Sequence, residues 1–342
     1  MRVRVLSLAL AAGALLLAAP LQLAQARPMW GVLGHYMTAA IAQGFLTPAA
    51  RNGVANLLPE VDGDMGLVAS WADQVGRDMF PWSPPLHFIN TPDWACTYER
   101  KRDCIDSGRP NYCVDGAIQN FTSQLVANRA PLSMKVALMF TIHFIGDIHQ
   151  PLHVGFTSDE GGNTIKGTFE GTYGRKLHQV WDEDMIEKRI NDDYQGDNST
   201  YLQYFMDRMQ SGDWASQVSG WQACPEDDPS DIHACSQSWA SQSVTYACST
   251  AYVDQTGAKI EDDFDLENPY YEFAYPVAEL QIARGGVRLA NVVNAIFAKN
   301  ELAEYTVEPQ VYKRMQAQKE AQERRRQRMM RGGATDEDIA LA

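Results

Sequence analysis

Two short stretches carry imidazole and carboxylate at helical spacing: His143-Phe144-Ile145-Gly146-Asp147-Ile148-His149-Gln150-Pro151-Leu152-His153, and His178-Gln179-Val180-Trp181-Asp182. The i,i+4 pairs His143/Asp147 and His178/Asp182 each project from one helix face toward a common point. Nitrogen and carboxylate donors in that pattern suit a borderline-soft divalent cation such as zinc. Other candidate ligands are more dispersed. Asp73 stands in Trp71-Ala72-Asp73, in a helical pattern that turns it inward. His87 follows Pro84-Pro85-Leu86, where the prolines predict an extended approach, and His35 follows Trp30-Gly31-Val32-Leu33-Gly34. Taken singly, each is an ordinary hydrogen-bonding residue. As a set they point to a multinuclear metal site.

The elements that must position these residues read as mostly helical. Amphipathic stretches cover Gly34–Gln43, Pro48–Leu58, Met65–Gly76, Ala117–Asn128, Leu132–Ile148 and Leu177–Ile190. Others cover Tyr201–Gln210, Ser236–Val253 and Pro276–Ala298. The one β signal is a hairpin of Asn163–Lys166 with Thr168–Tyr173, after Gly161-Gly162. The predicted fold is therefore mainly α, a single compact multi-helix domain over residues 30–300 with a small β-hairpin. Its ligands lie mainly on helices, which hold them more rigidly than loops. The 342 residues, 45% hydrophobic, suffice for one substantial core, and no linker or internal repeat divides them. Residues 301–342 form a charged helical or disordered tail centred on Arg324-Arg325-Arg326.

The N-terminus sets the compartment. Arg2 and Arg4 precede an apolar run from Leu6 to Ala19, and Ala24-Gln25-Ala26 supplies a small-x-small cleavage pattern. Residues 1–26 read as a secretory signal peptide, so the mature chain is expected to be secreted, without a membrane anchor and monomeric. The 6 cysteines fit an oxidised protein. The expected pairs are Cys104–Cys113 and Cys224–Cys235 as local staples, with Cys96–Cys248 joining the two regions. Asn120-Phe121-Thr122 and Asn198-Ser199-Thr200 are acceptor sequons for glycans in a eukaryotic host.

Together these motifs resemble the zinc-dependent single-strand nucleases, a family that includes 3′-nucleotidases and is related to zinc phospholipase C. The order is Trp-Gly-x-x-Gly-His, Trp-Ala-Asp, His-Phe-Ile, then His-x-x-x-Asp-x-x-x-Pro-x-His, Gly-Gly-Asn-Thr and Leu-His-x-x-Trp-Asp, closing on the helix Ala283–Ala290. It runs from Trp30 to about Phe297.

The resemblance implies three zinc ions. Asp73, His87, His143 and Asp147 would hold the first, and His153, His178 and Asp182 the second. His35 and Asp147 would hold the third with the backbone amine and carbonyl of Trp30. A zinc-bound hydroxide would attack phosphorus, with Asp73 orienting or deprotonating the water, and leave 5′-phosphates. Substrates would be single-stranded DNA and RNA and 3′-nucleotides. Phe88 would stack on a base, Asn90 would bond its edge and Asn163 would contact substrate. His149 is expected to support the ligands or lie at the surface, and His233 to be structural.

At a formal net charge of −14 the chain should repel polyanions, so bound cations are what would let it take phosphate. This sequence departs from the family pattern in three places. Cleavage after Ala26 leaves Arg27-Pro28-Met29 ahead of Trp30, so a free tryptophan amine requires further trimming. Asn90 replaces a frequent acidic residue. Gly76, not a basic residue, lies three after Asp73, with Arg77 one step on. Two alternatives remain: zinc phospholipase C chemistry, and a catalytically inactive, zinc-stabilised secreted binding protein. A di-iron bundle is disfavoured because its Glu-x-x-His pairs are absent.

Overall fold

The computed structural model describes residues 31–75, 79–127, 130–222 and 232–299. The signal segment, Trp30, Gly76, Arg77, Cys224 and the tail lie outside the described residues. Helices dominate the described chain: α1 (Val32–Gly44), α2 (Pro48–Leu57), α3 (Trp71–Val75), α4 (Arg100–Asp103), α5 (Val114–Val126) and α6 (Pro131–Asp147). They continue as α7 (Leu177–Gln179), α8 (Met185–Tyr194), α9 (Asn198–Gln210), α10 (Val218–Gln222), α11 (Ile232–Tyr246) and α12 (Tyr270–Lys299). The fold is mainly α.

Local chemistry accounts for several boundaries. Thr47 Oγ1 accepts from Ala50 N at 3.2 Å at the start of α2, with Pro48 in the first turn, where its missing N–H costs nothing. Asp197 caps α9 through Ser199 N at 2.8 Å. Around α6, one apolar cluster gathers Phe121, Leu138, Phe140, Ile142 and Phe144. A second gathers Met37, Ile41, Trp181, Tyr201, Phe205 and Ile282. From Ala137 to Asp147 every residue of α6 is buried, so this helix is enclosed all round rather than amphipathic. The metal-type residues His143 and Asp147 are thus carried into the middle of the molecule.

Glycines set the closest approach. A Cβ on Gly286 of α12 would lie 2.4 Å from Ile41 Cγ2 of α1, so the Gly285-Gly286 pair lets these two helices meet nearly backbone to backbone. That is the physical content of the closing Ala283–Ala290 motif.

The structure corrects three local expectations. The helical pattern Met65–Gly76 is broken into a short 3₁₀ turn, Gly66–Val68, and α3. The prolines before His87 do not extend the chain; they open a 3₁₀ turn, Pro84–His87, because proline's fixed φ also suits the first turn of a helix. The hairpin is displaced. Its strands are β3 (Lys166–Phe169) and β4 (Thr172–Lys176), turning at Glu170-Gly171 with φ of 47° and 69°. Positive φ at both central residues gives the turn whose twist suits a hairpin, and Gly167 instead lies within the strand. β5 (Phe264–Asp265) pairs parallel to β3, giving the order β4-β3-β5. Separately, β1 (Ile105–Asp106) and β2 (Arg109–Pro110) form an antiparallel pair.

Two disulfides staple the described chain. Cys96–Cys248 joins positions 152 apart with a Cα–Cα distance of 5.9 Å, and Cys104–Cys113 closes a local loop at 5.1 Å. Cys235 is also disulfide-bonded. Asn120 is exposed and Asn198 half-buried, each in a helix. No described helix is long and apolar enough to cross a membrane.

Candidate metal centre

α6 supplies His143 and Asp147 one turn apart, α3 supplies Asp73, and the 3₁₀ turn after Pro84 supplies His87. Four donor atoms converge. His87 Nδ1 lies 2.9 Å from His143 Nε2 and 2.9 Å from Asp147 Oδ2. His143 Nε2 lies 3.1 Å from Asp147 Oδ2 and 3.2 Å from Asp73 Oδ1, which in turn is 3.5 Å from His87 Nδ1. A tetrahedron drawn round a zinc ion with bonds of about 2.0–2.1 Å has edges of about 3.3–3.4 Å. The observed separations sit around that value. They are the spacing of ligands round one small cation.

Hydrogen-bond accounting points the same way. His143 Nδ1 is 2.7 Å from Ala69 O, a carbonyl that can only accept, so Nδ1 carries a proton and Nε2 is the nitrogen that faces the cluster. Asp147 uses both oxygens. Oδ2 faces His87 and His143, while Oδ1 lies 3.2 Å from His35 Nε2 and 3.3 Å from His153 Nδ1. Both ring nitrogens of His35, with Asp73 Oδ1, Asp147 Oδ1 and Asp182 Oδ2, are buried without a hydrogen-bond partner. Buried polar atoms are rarely left so. His35 stacks on His143 with ring centroids 3.9 Å apart. The residues fit a metal ion.

A second group forms where β4 runs into α7. His153 Nε2 is 3.5 Å from Asp182 Oδ1, and His178 Nε2 is 3.1 Å from Asp182 Oδ2. The helix carrying His178 and Asp182 is not regular α. One π turn, Val180–Asp184, is inserted between α7 and α8 and includes Asp182. Such insertions are frequent at functional sites. The off-side nitrogens are again tied to carbonyls, His153 Nδ1 to His87 O at 2.9 Å and His178 Nδ1 to Gly161 O at 2.6 Å. Metal-ligating histidines are oriented in this way.

Among the described residues, three groups hold ligand atoms within 4.8 Å of one another: His35/His143/Asp147, Asp73/His87/His143 and His153/His178/Asp182. Charges inside them are strongly coupled. Burial lowers His143, but Asp147 and Asp73 outweigh it and hold the imidazole well above its usual range. Burial likewise opposes His153, which Asp147 and Asp182 lift to about 9. Asp182, raised by burial, is drawn by His178 and His153 down to about 2. His35 goes the other way, lowered by burial and then by His143.

Several contributing residues escaped sequence reasoning. Gln150 Nε2 donates to Asp182 Oδ1 at 2.7 Å, while its Oε1 accepts from Leu152 N. Gly146 faces His35: a Cβ there would lie 2.6 Å from His35 Nδ1. Gly161, at φ 66°, presents its carbonyl to His178. Gln150 next to a proline and the lone glycine beside Asp147 were visible, but their partners lie far along the chain.

The substrate-side residues are placed less closely. Phe88 follows His87 and is half-buried, with its carbonyl accepting from Val114 N at 3.2 Å; Asn90 is exposed. Asn163 closes its own turn, with Nδ2 donating to Glu160 O at 2.9 Å. His149 is fully buried, which excludes the surface reading. Gly31 N, at the start of the described chain, donates to Asp182 O at 2.8 Å.

A helical scaffold brings histidines and aspartates from six separate segments into adjoining groups that could hold metal ions. The model of the S1/P1 nuclease family matches residues 30–298, and the chain belongs to that family. It is 41% identical to Endonuclease 2 of Arabidopsis thaliana over 281 residues, covering 78% of this chain and 90% of that protein. To Endonuclease 1 of the same plant it is 39% identical over 277 residues, 79% of this chain and 87% of the relative. Nuclease S1 of Aspergillus oryzae is 35% identical over 278 residues, 80% and 93% respectively.

Proposed function

We propose that this chain is a secreted, zinc-dependent nuclease that hydrolyses single-stranded DNA and RNA to 5′-phosphorylated products and removes 3′-phosphate from 3′-nucleotides. The observation that carries the proposal is the convergence of His87 Nδ1, His143 Nε2, Asp73 Oδ1 and Asp147 Oδ2 at separations of 2.9–3.5 Å. Nitrogen and carboxylate donors at tetrahedral spacing suit zinc. The naming of the relatives as nucleases and endonucleases supports the reaction class.

In this reading Asp73, His87, His143 and Asp147 hold one ion and His153, His178 and Asp182 a second. His35 and Asp147 hold a third together with Trp30, whose neighbour Gly31 lies against Asp182 O. Bound zinc supplies Lewis acidity toward phosphoryl oxygens and brings the pKa of water from about 15.7 toward about 7. The protein residues do the rest. Asp73, with 13% of its side chain exposed beside wholly buried His143 and Asp147, is the carboxylate that orients the attacking water and takes its proton. The water oxygen bonds to phosphorus, the P–O3′ bond breaks, and a proton goes to O3′. Phe88 stacks a splayed base, Asn90 meets its edge, and Asn163 contacts the substrate; stacking of this kind is worth about 1–3 kcal/mol and requires an unpaired base.

Secretion rests on the leader 1–26 together with the disulfides. The nuclease body spans 30–300. The expected test compares cleavage of single-stranded and duplex DNA, RNA and a 3′-mononucleotide by protein of measured zinc content. Chelator-sensitive cleavage favouring single strands supports the proposal. Hydrolysis of phosphatidylcholine with no nucleotide release would replace it with the lipid reading.

A further inference from the structure

Asp147 ends α6, and the six residues after it carry the chain from the first ligand group to the second. That crossing, Ile148 to His153, is held from outside the metal centre by α11 and α12. Ser243 Oγ donates to Ile148 O at 2.5 Å, and Gln281 Nε2 donates to His149 O at 2.9 Å. The His149 ring completes the hold. Its Nδ1 lies 2.6 Å from Ile145 O, so it carries the proton there, and its Nε2 lone pair accepts from Arg288 Nη1 at 2.8 Å.

Arg288 is an unusual residue to find in this place. It is only 8% exposed, and no described carboxylate pairs with it. Arg284, one turn away on α12, adds a like charge beside it, and the Arg288 Nε has no hydrogen-bond partner. Burial and Arg284 push the guanidinium down to about 9. Buried charges are normally paired, because removing one from water without a counter-ion is costly. A packing role would be served as well by an apolar side chain beside Trp239, which lies 5.6 Å from the guanidinium carbon.

We infer that His149 and Arg288 are positioning residues for the metal centre: the Arg288–His149–Ile145 chain of hydrogen bonds fixes the end of α6 and so the placement of the bridging carboxylate of Asp147. The inference rests on the metal-site reading above. Arg288 and His149 are 139 positions apart in the chain and meet only in the fold. Gly285 belongs to the same arrangement, because a Cβ on it would lie 3.3 Å from His149 Cγ.

The test uses the mature holoprotein and the variants Arg288→Met, Arg288→Lys, His149→Asn and His149→Phe. Asn keeps a donor near the Nδ1 position and loses the bond to Arg288; Phe loses both. For each, zinc affinity is measured by competition with a chelator of known affinity, and melting is followed for the metal-free form. The expected result is a roughly 10–100-fold loss of zinc affinity in Arg288→Met and His149→Phe, the range seen when groups supporting metal ligands are removed. Arg288→Lys should recover part of it, and the metal-free melting temperatures should change little. Unchanged zinc affinity in the soluble variants, or a loss confined to metal-free stability, would overturn the inference. Zinc binding needs no substrate to be read, so failure of the wild type to cleave nucleic acid would fall on the proposed activity and not on this inference.

Discussion

His143 Nε2 and His87 Nδ1 face each other across 2.9 Å, with the Asp147 carboxylate oxygen 3.1 and 2.9 Å from them. Nδ1 of His143 donates to Ala69 O, so Nε2 is the nitrogen turned toward the cluster. Lone pairs and a carboxylate brought together repel unless a proton or a cation lies between them. Metal removal should therefore destabilise the fold as well as stop turnover. At free zinc a thousand times the dissociation constant, one site contributes about 4 kcal/mol. Differential scanning calorimetry with and without a chelator should show a drop of several degrees, reversed by added zinc.

Asp147 faces two groups, with Oδ2 2.9 Å from His87 Nδ1 and Oδ1 3.2 Å from His35 Nε2, whereas Asp182 turns its oxygens to His153 and His178 alone among these histidines. Asp147→Asn should therefore remove metal from both groups that share it, and Asp182→Asn from its own. Each should lower kcat/KM on the order of a thousand-fold, the scale of several kcal/mol of lost charge stabilisation. Metal analysis of the purified variants distinguishes them: the Asp147 variant should retain fewer ions than the Asp182 variant. Equal losses would argue against the bridge.

Gln150 touches no predicted metal directly but holds Asp182 at 2.7 Å. Gln150→Leu should weaken metal binding at the His153/His178/Asp182 group by about 10–100-fold. Excess zinc should restore much of the turnover, which it would not do for Asp182→Asn. Zinc titration of activity checks this.

Gly146 separates helix propensity from site geometry. Alanine in a helix interior is favoured over glycine by about 1 kcal/mol. Here, however, the new Cβ would lie 2.6 Å from His35 Nδ1 and must push the ring off Asp147. Gly146→Ala is expected to lose metal from the His35 group, while its metal-free form melts near the metal-free wild type. Full metal content in this variant would show that His35 is not a ligand.

Much of the site was legible because its signal is local. His143/Asp147 and His178/Asp182 are one helical turn apart, and the helical period alone places each pair together, even though a π turn is inserted at Val180–Asp184. His35, Asp73 and His87 are legible only as members of an ordered series; nothing in their neighbours predicts the separations of 2.9–3.9 Å that they reach. The residues that were missed act at long range. In the sequence Gln150 is one position of a motif and Arg288 one position of the closing helix, and neither shows its partner. The hairpin was placed too early because Gly161-Gly162 reads as a turn; those glycines instead support His178, and the hairpin turns at Glu170-Gly171, whose positive φ values leave no mark in composition.

The central claim is that ions held by these His/Asp groups make the chain a single-strand nuclease. The most direct measurement is stoichiometric zinc titration of the metal-free mature protein, with bound metal and cleavage of single-stranded DNA and RNA read on the same samples. The account predicts that cleavage returns as the groups sharing Asp147 and the group around Asp182 fill, with duplex DNA cut far more slowly. Full zinc occupancy without cleavage, or cleavage that persists in excess chelator, would contradict it.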